Sequence, residues 1–185
     1  SEHETRTQDM DASDRITLRQ IEPSDLEIFF VHQLDPVAIR MAAFVGKEPT
    51  DKAAFHAHWA KVLKLPNITQ RTIVADGQIA GHIACFPAGD EREVTYWLGR
   101  EFWGQGIATR ALDLLLRLVV DRPILARAAT DNLASIRVLE KCGFKIIGTN
   151  TDFAHGRGAD TEECILRLDS DSASGPAFVS GSGGA

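Results

Sequence analysis

One segment constrains the fold more than any other: Glu93–Leu112, EVTYWLGREFWGQGIATRAL. It opens on Glu93 to Leu98, which reads as a strand. It leads into a strongly apolar run, Ile107 to Val120, that predicts a helix. Between them stands Gly104-Gln105-Gly106. Glycines at such a turn let backbone N–H groups come close to an anion. The helix N-terminus that follows adds unsatisfied donors and a partial positive charge. Strand, glycine turn and helix together build a cradle for a diphosphate; the plainer reading is an ordinary tight turn. Two familiar cradles do not fit. The Rossmann fingerprint wants a third glycine where Thr109 stands, near the first strand of a βαβ unit. The P-loop pattern G-x-x-x-x-G-K-S/T is absent.

The remaining elements follow from pattern. Arg15 to Ile21 alternates and predicts a strand. Ser24-Asp25-Leu26-Glu27 fits a capping box, opening a helix to about Gln33. Asp51 to Leu65 repeats Phe55, Trp59, Val62 and Leu63 at helical steps, and Pro66 stops it. Arg71–Ala75, the turn Asp76-Gly77 and Gln78–Phe86 read as a hairpin. Ile124–Ala129 is a strand, and Asn132–Cys142 a helix closed by Gly143 at the C′ position. Phe144–Thr149 and Glu162–Leu168 are two closing strands. The order β-α-α-β-β-β-α-β-α-β-β predicts an α/β (α+β) domain, a mixed sheet with helices on both faces.

The chain has 185 residues, the length of one domain, and 44% of them are hydrophobic and 25% charged. That is ordinary globular usage, which excludes a wholly disordered or collagen-like chain. No run approaches the roughly 20 apolar residues that span a bilayer. The polar, acidic start is unlike a signal or transit peptide, so a cytoplasmic protein with no membrane contact is expected. The net charge is −6. It sits wholly in the ends: five acids against Arg6 in residues 1–14, and Asp169 and Asp171 beyond 168. Residues 15–168 are neutral, with no basic field to gather nucleic acid. Both ends are expected to be disordered, an acidic arm over 1–14 and a Ser/Gly-rich tail over 169–185, around a folded unit at 15–168. Cys85, Cys142 and Cys164 are too scattered for a disulfide framework or a zinc site. His56 and His58 stand two apart on a helix and face different ways, so no metal is expected.

A second segment, Asn132–Phe144 (NLASIRVLEKCGF), completes the pattern. With the first it resembles the GNAT superfamily of acyl-CoA-dependent N-acyltransferases. The family's pyrophosphate loop runs R/Q-x-x-G-x-G/A. Here Trp103-Gly104-Gln105-Gly106-Ile107-Ala108 takes that place, with Trp103 for the usual first residue. Aromatic residues occur there in one branch, which holds the ribosomal-protein N-terminal acetyltransferases and similar enzymes. That branch's first pattern runs from Tyr96 to Leu112. Its second matches Asn132, Ser135, Val138, Lys141, Gly143 and Phe144. The closing strands, with Gly156-Arg157-Gly158, also look like it. The resemblance covers 15–168. It implies the GNAT fold, a mixed and mostly antiparallel sheet of six to seven strands flanked by about four helices, splayed at the acyl-CoA site.

The resemblance further implies direct transfer of an acetyl group from acetyl-CoA to a primary amine. Pantetheine then lies along Tyr96, Trp97 and Leu98, and an N–H near Leu98 polarises the thioester carbonyl. Trp103, Gly104, Gln105, Gly106, Ile107, Ala108 and Thr109 hold the pyrophosphate through their backbone. Asn132 bonds pantetheine; it also suits a plain N-cap. Ser135, one turn on, approaches the CoA sulfur as an acid or is an ordinary helix serine. Many members place a tyrosine acid where this chain has Leu139, which cannot donate a proton. Glu93 is the candidate base, with His82 as an alternative. The branch favours a protein N-terminal α-amine as acceptor, chosen by about Pro23–Leu65 and Thr149–Asp160. A small-molecule amine stays open, as does a non-catalytic acyl-CoA-binding module. A monomer and a homodimer both fit.

Overall fold

The structure, a computed structural model, describes residues 15–170. The expected acidic arm lies outside the described residues, as does all but the first two residues of the expected tail. Seven strands form one mixed sheet: β1 (Ile16–Arg19), β2 (Thr69–Ala75), β3 (Gln78–Ala88), β4 (Glu91–Leu98), β5 (Ile124–Ala129), β6 (Lys145–Ala154) and β7 (Ala159–Leu168). Their spatial order is β1-β2-β3-β4-β5-β7-β6. Every neighbouring pair is antiparallel except β4 and β5. The Asp76-Gly77 dipeptide joins β2 to β3 with both φ angles positive, 50° and 77°, as a two-residue primed turn requires.

Five helices cover the sheet: α1 (Asp25–Gln33), α2 (Pro36–Ala42), α3 (Lys52–Val62), α4 (Ile107–Leu118) and α5 (Leu133–Lys141). The second is absent from the sequence reading, being too short to show a period. Its signal is local: Asp35 caps it by accepting from the Val37 N–H at 3.1 Å, and Pro36 takes a first-turn position. The capping box at Ser24 does not form. Ser24 already has helical backbone angles and makes no side-chain cap. Asp25 turns inward instead, accepting from Arg19, from the Thr72 hydroxyl at 2.6 Å and from the Glu22 N–H at 2.9 Å. The closing strands also run further than the sequence pattern shows. β6 and β7 pair as far as Ala154 and Ala159, so the expected loop over Thr149–Asp160 is mostly hairpin.

Strand alternation sorts the side chains into two layers. One face packs Ile73, Ile83, Val94, Ala126 and Leu166 against α4 and α5, whose Leu112, Leu115 and Leu139 are fully enclosed. Each such leucine stabilises the fold by roughly 1.5–3 kcal/mol through apolar burial. The opposite face carries a smaller aromatic cluster, Phe29, Phe30, Phe55 and Trp59, from α1 and α3. No helix among the described residues is long and apolar enough to cross a membrane.

Candidate active site

The site exists because two strands part. β4 and β5 pair only at Arg92–Ile124 and Glu93–Leu125. Past that point β5 pairs with β7 alone, and the β5-facing edge of Val94–Leu98 has no strand partner. On its other edge β4 stays tight against β3 at Gly81. A Cβ there would stand 1.9 Å from the Trp97 carbonyl oxygen, so only glycine lets β4 run so close. A cavity of about 780 Å³ fills the gap. That is the volume of a cofactor site. Alternation puts Tyr96 and Ala128 on the α4/α5 face and Glu93, Trp97, Arg127 and Glu163 on the other. Residues from both faces line the cavity, so it passes through the sheet.

At one mouth stands the glycine loop. Gly104 and Gly106 have φ of 72° and 76°, and a Cβ on either would meet nothing within 4 Å. The turn therefore needs glycine for its backbone, and it faces open space. Gly106 is the N-cap of α4 and supplies no side chain to satisfy the first turn. The first helical bond runs from the Arg110 N–H to the Gly106 carbonyl, leaving the N–H groups of Ile107, Ala108 and Thr109 for a ligand. The Trp103 indole folds back to donate to the Leu98 carbonyl at 3.1 Å, tying the loop to the end of β4. Arg137 and Lys141, one turn apart on α5, also line this cavity and make no ion pair among the described residues.

At the centre, the Tyr96 and Ser135 hydroxyls lie 2.8 Å apart. Tyr96 is the chain's single tyrosine. Burial pushes its phenol above the ordinary value of 10, with the Ser135 bond pulling partly back. Asn132 caps α5, accepting from the Ser135 N–H at 3.3 Å, and donates to the Met41 carbonyl at 3.3 Å. Cap and cavity wall are thus one residue. Leu139 is buried and backs the cavity wall from the core.

On the α1–α3 face, three charged side chains from three strands meet. Arg127 of β5 donates to Glu93 Oε1 on β4 at 3.1 Å and to Glu163 Oε1 on β7 at 3.0 Å. The wall beside them comes from α2 and its exit, Ala38, Met41, Ala42, Phe44 and Val45. The β6–β7 turn holds that wall in place. The Gly156 N–H donates to the Ala43 carbonyl at 2.8 Å, and Arg157 joins the Arg40 carbonyl to Asp131. His82 is elsewhere, against the rings of Phe29 and Trp59 at 4.8 and 5.0 Å. Burial first, then His32 and His58, drive its pKa down to about 3, so it is a weak base outside the cavity.

Of the residues expected from sequence to hold acetyl-CoA or to move a proton, all but His82 and Gln105 line this one cavity; Gln105 turns back to donate to the Glu101 carbonyl at 2.9 Å. Sequence reasoning missed Arg127, Arg137 and Glu163, and it took Tyr96 for its backbone alone. Lys141 stood inside a quoted motif, one turn after Arg137. The charges at 127 and 163 carry no local signal. Among the described residues no group of three His, Cys, Asp or Glu could hold a metal ion.

The fold agrees with that of known proteins. No curated protein matches the chain. Among solved structures, RimL, a ribosomal L7/L12 α-N-protein acetyltransferase in complex with coenzyme A, superposes with TM-score 0.71 at 19% identity, covering 86% of this chain and 97% of its own. A spermidine N-acetyltransferase from Vibrio cholerae in complex with CoA and spermine gives 0.69 at 17% identity, over 83% and 96%. Mycobacterium smegmatis RimJ in complex with CoA-disulfide gives 0.68 at 20% identity, over 87% and 84%. The model of the acetyltransferase (GNAT) domain matches residues 15–145, and the chain belongs to that family of acetyl-CoA-dependent acetyltransferases.

Proposed function

We propose that this chain acetylates the α-amine at a protein N-terminus, with residues 15–168 as the working unit. The observation that carries the reading is the cavity's passage through the parted sheet. Open N–H groups and two cations with no ion pair among the described residues line one end, and a net single negative charge lines the other. Acetyl-CoA supplies the activated acetyl group. Its phosphates suit the N–H groups of Ile107, Ala108 and Thr109, with Arg137 and Lys141 beside them. Its pantetheine suits the free edge of Tyr96, Trp97 and Leu98, with Asn132 across the gap. The N–H near Leu98 polarises the thioester carbonyl.

The two proton tasks fall on opposite faces of the sheet. Glu93, on the α1–α3 face, takes a proton from the incoming amine. Ser135, on the α4/α5 face with Tyr96 behind it, gives one to the departing sulfur. An N-terminal α-amine has a pKa of about 7.7–8.0 against about 10.4 for lysine, so less basicity is asked of Glu93. A polyamine is the second reading, favoured by two carboxylates in one cavity. Arg127 cancels one of them. The remaining single charge matches one ammonium and leaves the further charges of a polyamine unmet.

The test is thiol release from acetyl-CoA with peptides beginning in Ala or Ser, with spermidine and with free amino acids. Turnover on the peptides is expected. Turnover on spermidine alone would replace the acceptor. A melting-temperature rise with acetyl-CoA but no turnover on any amine would leave a binding module; saturation at 100 times Kd is worth about 2.7 kcal/mol of stability.

A further inference from the structure

Glu163 is 6% exposed, yet it is a carboxylate that lines the cavity. Its Oε1 is used twice, by Arg127 at 3.0 Å and by Asn150 at 3.3 Å. Its Oε2 makes no hydrogen bond among the described residues, nor is it one of the sealed polar atoms without a partner. A carboxylate oxygen on a side chain this enclosed gains most from a donor, and the cavity that Glu163 lines is where a ligand can bring one. The Arg127 guanidinium gives its Nε–H to Glu93 and an Nη1–H to Oε1 of Glu163. The other cations of the cavity, Arg137 and Lys141, belong to α5 on the opposite face of the sheet. Among the described residues no cation bonds Oε2 of Glu163.

We infer that Glu163 is a specificity residue whose Oε2 receives the protonated amine of the acceptor before reaction. The acceptor class is then a primary amine that arrives as a single cation. Arg127 and Asn150 hold the carboxylate by its Oε1 and leave Oε2 to the ligand. Glu93, on the far side of the same guanidinium, is left to take the proton. This rests on the acetyltransferase reading of the cavity and holds for a peptide or a small cationic amine alike.

The test is Glu163→Gln, which keeps the shape and the contacts of Oε1 and removes the charge. Expected is a rise of about tenfold to hundredfold in KM for a cationic acceptor, the loss of one charge-assisted hydrogen bond. The KM for acetyl-CoA and its stabilisation of the fold stay as in the wild type. An aromatic primary amine, neutral at the assay pH, loses nothing. Glu163→Asp keeps the charge and recovers part of the affinity for the cationic acceptor, a rescue that a purely structural role would not show. An unchanged acceptor KM in a variant still stabilised by acetyl-CoA overturns the inference, and so does an equal loss on neutral and cationic amines. If the wild type acetylates only a small amine, the N-terminal reading fails, and the same comparison on that amine still decides the role of Glu163.

Discussion

Tyr96→Phe removes one oxygen from the centre of the cavity and leaves the ring. The phenol and the Ser135 hydroxyl are 2.8 Å apart and part-buried. A hydrogen bond of this kind contributes about 0.5–1.5 kcal/mol net. At about 2–4 °C per kcal/mol for a domain of this size, the melting temperature should fall by about 1–6 °C. The effect on rate is separate. Ser135→Ala removes the proposed acid outright and should lower kcat by about a hundredfold. Tyr96→Phe leaves that acid present but unaimed, and about tenfold is expected, or about 1.4 kcal/mol. The double variant should be no slower than Ser135→Ala, because the tyrosine acts only through the serine. Burial holds the Tyr96 phenol above its ordinary value of 10, so it stays a donor across the assay range. The ratio of wild-type to Tyr96→Phe rates should therefore be flat from about pH 7 to 9. The assay is thiol release under saturating acetyl-CoA. Multiplying single effects, or an unchanged kcat in Tyr96→Phe, would refute the coupling and leave the bond structural.

Three further outcomes follow from the geometry. Gly106→Ala forces a side chain to φ 76°, at a cost of roughly 1–2 kcal/mol; the fold survives, and the stabilisation by acetyl-CoA should shrink in a thermal-shift titration. Gly81→Ala sets a methyl group against the Trp97 carbonyl and should cost about 1–3 kcal/mol or more, read as a lower denaturation midpoint. For Asp25, burial alone would raise the carboxyl, but Arg19, Thr72 and the Glu22 N–H outweigh it and hold the pKa below the usual range. Its contribution is present above the unfolded value of about 3.9 and is lost as pH falls through the folded one. Asp25→Asn should lower the melting temperature at pH 7 and flatten its decline in acid, as measured across pH 2.5–7.

Much of this protein is set by neighbours in the chain. The glycine loop, the helix it opens, the Asp76-Gly77 turn and the Asn132 cap each depend on residues within about one helical turn of one another. Their physics is local, so the pattern shows it. Even the missed α2 had its local mark in Asp35-Pro36. The failed cap at Ser24 marks the limit, because Asp25 found better partners in Arg19 and the distant Thr72. Charge meeting charge across the sheet is a different matter. Arg127 reaches Glu93 and Glu163 over separations of 34 and 36 residues, and Tyr96 reaches Ser135 over 39. Their meeting depends on β4 and β5 parting after one short paired stretch and on β7 lying next to β5. A lone Glu or Arg in an alternating strand looks like solvated surface. Only strand order and twist decide that these point into one cavity, because that is where the sheet stops pairing with itself.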